Sequence, residues 1–162
     1  MTEEKDKVIA LNLGCRPEAA VSGALLLQTE HNAYLTFNAQ RESPDGFSED
    51  AGTAVVEIVR CQITKFGYPN DEALLGHPLY RKGLITYGIY EVLKSSWIAE
   101  LAEQNRIAFP DRTETTWMRH FVFVFHDSTF ECLAQDVKIS LHTEPYQRVF
   151  QTISKDLIND SF

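Results

Sequence analysis

No apolar run in the 162 residues approaches the roughly 20 that a membrane-spanning helix needs. No CxxC, HExxH or EF-hand pattern occurs, so no metal motif is written locally and no metal site is expected. A P-loop, a dinucleotide fingerprint and a G-x-S-x-G elbow are all missing. Gly14, Gly23, Gly46 and Gly52 stand alone, which excludes a phosphate cradle, and no cofactor is called for. Lys and Arg never cluster, so the basic stripe that releases counterions from nucleic-acid phosphates is lacking. The opening Met-Thr-Glu-Glu-Lys-Asp-Lys is charged with mixed sign and precedes no signal-type apolar block. A cytoplasmic protein that binds neither membrane nor nucleic acid is the expectation.

Cysteine is also scarce. Cys15, Cys61 and Cys132 are three, an odd number at wide spacing, and imply no disulfide framework. Cys61 and Cys132 lie in strand-like apolar surroundings, where a free thiol behaves as a small hydrophobe.

Acidic charge is what the chain has in excess: 23 Asp and Glu against 15 Lys and Arg, or −8. Such a surface maintains solubility and also steers encounter with a basic partner. Hydrophobic residues make up 44% of the chain, with ten Phe, six Tyr and two Trp, ample for a core. This length suits a single globular domain over 8–162, behind a disordered tail over 1–7.

The core is most legible at 118–141. Two β-prone runs separated by Asp127-Ser128 predict an antiparallel hairpin. Its first arm is apolar at both parities, with Phe121, Phe123 and Phe125 on one side and Val122 and Val124 on the other. Both faces must then be covered, which places the hairpin at the centre of a sheet. Residues 8–13 and 24–29 read as weaker strands. Residues 33–39 alternate as a half-buried strand, a candidate edge, and 53–64 as one long strand. Pro44, Asp45, Gly46 and their neighbours make 43–52 a mobile surface loop.

Residues 66–83 carry Pro69, Gly76, Pro78 and Gly83, yet also Tyr68, Leu74, Leu75, Leu79 and Tyr80. That reads as an ordered loop packed on the sheet, with one helical turn capped by Asn70 or Asp71. Residues 84–93 favour a strand, although their composition leaves a helix open. Ser95-Ser96 caps a short helix over 97–106, and 108–116 is a loop. Thr143 and Pro145 start the clearest helix, whose stripe of Tyr146, Val149, Phe150, Ile153 and Leu157 packs inward. The fold class is therefore α+β: a largely antiparallel, twisted sheet of about six strands with two helices packed on it.

Chemistry is harder to read. His120 and His126 share a strand face, but six residues at about 3.3 Å separate them by roughly 20 Å, too far to share one ion. A zinc site would need His77 brought in from the loop. His126, Asp127 and Ser128 are consecutive and point apart, so they form no triad, and no catalytic residue is assigned. In the simplest hairpin register His126 faces Thr129 and lies diagonal to Glu131, which would make an imidazole–carboxylate pair.

The densest polar-aromatic set is Tyr68, Asp71, Glu72, His77, Tyr80, Tyr87, Tyr90, Glu91 and Trp97. With His126 and Glu131, the residues Tyr68, His77, Tyr80, Tyr87, Tyr90, Glu91 and Trp97 form the expected ligand or partner surface. The leading expectation is a non-enzymatic interaction protein that masks a basic protein partner. Two other readings stand beside it. One is a small-ligand carrier or acid/base enzyme, with His77, Glu91, His126 and Glu131 between the 66–83 loop and the sheet. The other is self-association as a homo-oligomer.

Overall fold

A computed structural model describes residues 4–19, 21–112 and 117–161. Parts of the expected 1–7 tail and 108–116 loop, namely 1–3 and 113–116, lie outside the described residues. The described residues form an α+β fold of ten strands in two antiparallel sheets, with two α-helices. The first sheet has the order β1 (Lys7–Ala10), β7 (Ile89–Leu93), β8 (Arg119–Val124), β9 (Thr129–Ala134), β6 (Ile63–Gly67). The second runs β10 (Asp136–His142), β5 (Ser48–Val59), β4 (Ala33–Glu42), with β2 (Arg16–Pro17) and β3 (Leu25–Gln28) both pairing the far side of β4. Helix α1 (Ser96–Ala108) lies beside β8, and α2 (Tyr146–Ser161) lies against β4 and β5.

The doubly apolar arm of the hairpin is β8, and it is central, as its pattern requires. Phe121, Phe123 and Phe125 turn toward the second sheet and meet Phe37, whose ring centre lies 5.2 Å from that of Phe125. Leu35, Val56, Ile58, Phe130 and Cys132 complete this layer. Each fully buried Phe contributes roughly 1.5–3 kcal/mol of transfer free energy, so this interface dominates the stability. Val122 and Val124 point the other way and pack with Leu74, Leu79, Leu84, Tyr90 and Val92. The 68–88 segment thus covers the outer face of the first sheet. Two 3-10 turns, Leu74–Gly76 and Tyr80–Lys82, shape it; Asn70 Oδ1 accepts the Ala73 amide, but Ala73 itself is the N-cap of the first turn, which neither Asn70 nor Asp71 caps.

Several expectations change. About six strands in one sheet become ten in two: the hairpin's second arm breaks at Gln135 into β9 and β10, which lie in different sheets, and the supposed long strand over 53–64 breaks at Arg60. That residue takes φ +50° and stacks its guanidinium over Trp117 at 4.1 Å, and the chain crosses from the second sheet to the first. No Gly or Pro marks this corner, so pattern alone could not locate it. The supposed edge strand β4 is interior, paired on both sides. The loop expected over 43–52 is shorter, since Ser48 already starts β5. Gly52 belongs to that strand. Its φ is +84°, and a Cβ there would lie 2.2 Å from the His142 carbonyl oxygen, so only glycine admits β10 so closely. Residues 84–88 precede β7 rather than joining it.

Candidate functional site

The hairpin register decides the site. Val124 pairs with Thr129, Val122 with Glu131, and His120 with Leu133, so the turn is His126-Asp127, closed by the Phe125 amide donating to the Ser128 carbonyl. This is a two-residue slip from the simplest register. Faces are conserved by such a slip, but neighbours change. The expected His126–Glu131 pair does not form: Glu131 meets His120, one step along the same face, while His126 is carried past the end of the strands to Asp71.

Two imidazole–carboxylate clusters result. In the first, Glu131 lies between two rings: His120 Nε2 is 2.9 Å from Oε1 and His77 Nε2 is 3.1 Å from Oε2. The side chains of His120, His77 and Glu131 are 3%, 7% and 12% exposed. The Leu79 amide donates to His77 Nδ1 at 3.0 Å, so that nitrogen is an acceptor and the ring is held as the Nε2–H tautomer donating to Glu131. An Nε2 that carries a proton offers no lone pair to a metal ion. Among the described residues no group of three His, Cys, Asp or Glu side chains has metal-binding geometry. His120 uses its other nitrogen too, with Nδ1 2.8 Å from Ser95 Oγ. Burial pushes the Glu131 carboxyl up, but hydrogen bonds from His120 and then His77 outweigh it and bring it down to about 2.

In the second cluster, the Tyr87 hydroxyl donates to Asp71 Oδ2, and His126 Nδ1 lies 2.7 Å from the same oxygen. Asp71 Oδ1 is buried with no partner among the described residues. Tyr87 sits at φ +56°, an uncommon conformation for a bulky residue. The Tyr87 hydroxyl, then His126, hold the Asp71 carboxyl below its ordinary range, and Asp71 raises both the His126 imidazole and the Tyr87 phenol. The His126 side chain is 35% exposed, and its Nε2 stands 3.8 Å from Asp127 Oδ1, beyond a hydrogen bond.

Between the 68–83 segment and the sheet lies a cavity of about 520 Å³, lined among others by Asp6, Lys65, Tyr68, Trp97, Glu100 and Glu131. Trp97 packs edge-on against His120 at 5.2 Å between ring centres, and the Lys65 ammonium stands 3.8 Å over the Trp97 ring. Asp6 reaches in from the N-terminal segment and accepts the Ser96 amide at 2.7 Å.

Of the surface residues expected from sequence, Tyr68, His77, Trp97 and Glu131 meet at this cavity. Tyr87 and His126 join the neighbouring Asp71 cluster. Tyr80 lies on the second 3-10 turn, half exposed. Tyr90 is buried, with its hydroxyl donating to the Ile85 carbonyl. Glu91 pairs with Phe121 across the sheet, which puts it on the opposite face from Glu131, and it is bound in two bonds by Arg119. It cannot act with His77. Asp71 stood in the polar-aromatic set but not in the expected surface, and His120, Lys65, Asp6 and Ser95 were missed as site residues; of these four, His120, which shares its strand face with Val122, carried a readable signal. Burial raises all three thiols, Cys61 to about 11, which disfavours thiolates.

No family model, curated protein or solved structure matches the chain. Among the described residues, no helix is long and apolar enough to cross a membrane.

Proposed function

We propose that the protein is a recognition module which takes a basic group, a lysine or arginine side chain of a protein partner, into the cavity between the 68–83 segment and the first sheet. One observation carries this reading: the carboxylates of Asp6 and Glu100 and two aromatic side chains (Trp97 and Tyr68) line this cavity beside Glu131, which His77 and His120 already hold, and the Lys65 ammonium already stands on the Trp97 ring. Carboxylates with an aromatic face suit an ammonium or guanidinium. Tyr68 is 85% exposed, available to pack on a partner. The acidic net charge adds long-range steering.

The test is a titration of Nα-acetyl-arginine amide and of a short arginine-rich peptide, followed by Trp97 fluorescence in a Trp117→Phe background. Saturable quenching that weakens with added salt and is reduced in Glu100→Gln is expected. Absent or salt-insensitive quenching would count against the proposal. The acid/base reading is favoured by a different observation: on the Asp71-bound ring of His126, Nε2 has no hydrogen bond among the described residues, only the Asp127 carboxylate 3.8 Å away, an arrangement a general base can use.

A further inference from the structure

We propose that Ser95 is the nucleophile of a hydrolytic site directed at small esters, with His120 as its general base. This goes beyond the recognition reading and rests on other atoms. Ser95 stands where β7 gives way to α1, immediately after Lys94, whose φ of +52° makes the turn sharp. Its Oγ lies 2.8 Å from His120 Nδ1, and His120 Nε2 lies 2.9 Å from Glu131 Oε1. One imidazole therefore spans a hydroxyl and a carboxylate, the arrangement that defines serine nucleophiles by role rather than by sequence order. Here the hydroxyl is on Nδ1 and the carboxylate on Nε2. In the neutral ring the Nε2 proton goes to Glu131, so Nδ1 has the lone pair that would receive the serine proton.

Ser95 is also the N-cap of α1, accepting the Ile98 amide at 3.2 Å. Capping uses the oxygen only as an acceptor and leaves the hydroxyl proton to donate. That proton faces a buried imidazole rather than water. The Ile98 amide and the positive end of a 13-residue helix stabilise charge on Oγ as the proton departs. His77 holds the second oxygen of Glu131, so this carboxylate is fixed in place as the positioning residue for His120. Ser95 also lines a second cavity of about 480 Å³, whose wall joins five apolar side chains, Met118 and Ile98 among them, to five charged ones that include Glu91 and Arg119, a mixed lining suited to a small ester that carries a polar group.

The chemistry balances without any further reactant. Oγ bonds to the ester carbonyl carbon as its proton passes to His120 Nδ1. The carbon–oxygen bond to the alcohol then breaks, and the alkoxide takes that proton. Water, deprotonated by the same nitrogen, adds to the acyl-serine, and Oγ leaves with the proton as the carboxylic acid is released.

The experiment treats the full-length protein with a fluorophosphonate, which forms an Oγ–phosphorus bond and expels fluoride, and maps the adduct by mass. One adduct on Ser95 is expected, together with hydrolysis of p-nitrophenyl acetate above buffer. Ser95→Gly, which keeps a tolerated N-cap, should fold and lose both. His120→Gln should slow labelling about 100-fold. Glu131→Gln should displace the labelling–pH profile, which loss of a merely structural contact would not. A folded wild-type protein that gives no Ser95 adduct overturns the proposal, and so does labelling at the wild-type rate in His120→Gln.

Discussion

The two histidine–carboxylate clusters use the same side-chain chemistry to opposite ends. Around Glu131 every imidazole nitrogen has a partner: His77 between Leu79 and Glu131, His120 between Ser95 and Glu131. Around Asp71 the ring of His126 is tied at one nitrogen and open at the other, while a carboxylate oxygen stays buried without a donor. The closed cluster lies within the sheet surface and fastens the tip of the 68–83 segment; the open one lies at a hairpin turn and fastens its start. Burial of the rings sets the difference, since the carboxylates are alike: Glu131 is 12% and Asp71 11% exposed, whereas His120 and His77 are 3% and 7% exposed. A buried ring must find partners for both its nitrogens within the protein. His126, a third exposed, can leave one nitrogen to water at little cost.

The sharpest way to break the comparison is to remove the closed carboxylate. Glu131→Ala leaves two buried rings without their acceptor and should destabilise by about 3–5 kcal/mol, read as a urea midpoint shift with unchanged slope. The acid limb gives a sign check. The folded carboxyl lies at about 2 against an ordinary 4.5, so its contribution is complete above 4.5 and is lost as pH falls toward 2. Wild type should therefore lose stability across that window more steeply than Glu131→Ala. Equal slopes would mean that the rings do not hold the carboxylate as described.

A smaller effect is expected at the open cluster. Asp71→Asn keeps an oxygen for Tyr87 but removes the charge that draws in His126, and should cost about 1–2 kcal/mol. In the same variant the His126 imidazole, followed by its NMR ring-proton shifts, should titrate at lower pH than in wild type, where Asp71 raises it above the ordinary 6.5. An unmoved titration would separate His126 from Asp71.

What the sequence revealed follows from the same contrast between local and long-range information. The double apolar parity of 121–125 located the central strand, and the stripe from Tyr146 to Leu157 located α2, because both signals repeat within one element. Partners were another matter. Glu131 was visible as a polar residue on an apolar strand, but its neighbour depends on whether the turn is 126–127 or 127–128, a choice that Asp, Ser and His residues allow equally. His77 was singled out, yet nothing local says that the 68–83 segment folds back to bring it to Glu131 rather than to His126. Glu91 was misplaced for a simpler reason. Its parity in 89–93 matches Ile89 on the inner face, and that could have excluded it from any site with Glu131. The breaks at Arg60 and Gln135 carried no Gly or Pro signal, which merged two pairs of strands and concealed the second sheet.

The smallest predicted effect concerns the direction of pH dependence rather than its size. His126 has its proton affinity raised in the folded state, so the stability it contributes is fully present below 6.5 and is lost as pH rises through the raised value. Asp71 is shifted the other way. Its contribution is complete above 3.8 and is lost only as pH falls below that. Together they favour the folded state most between those limits, where carboxylate and imidazolium are both charged. His126→Gln should therefore lower the urea midpoint at pH 6, and by progressively less as pH rises through the raised His126 value. Glu131, by contrast, stays ionised throughout this range. If wild type and His126→Gln differ by the same amount at pH 6 and in alkaline solution, the ring contributes by packing alone, and its bond to Asp71 carries no charge-dependent stability.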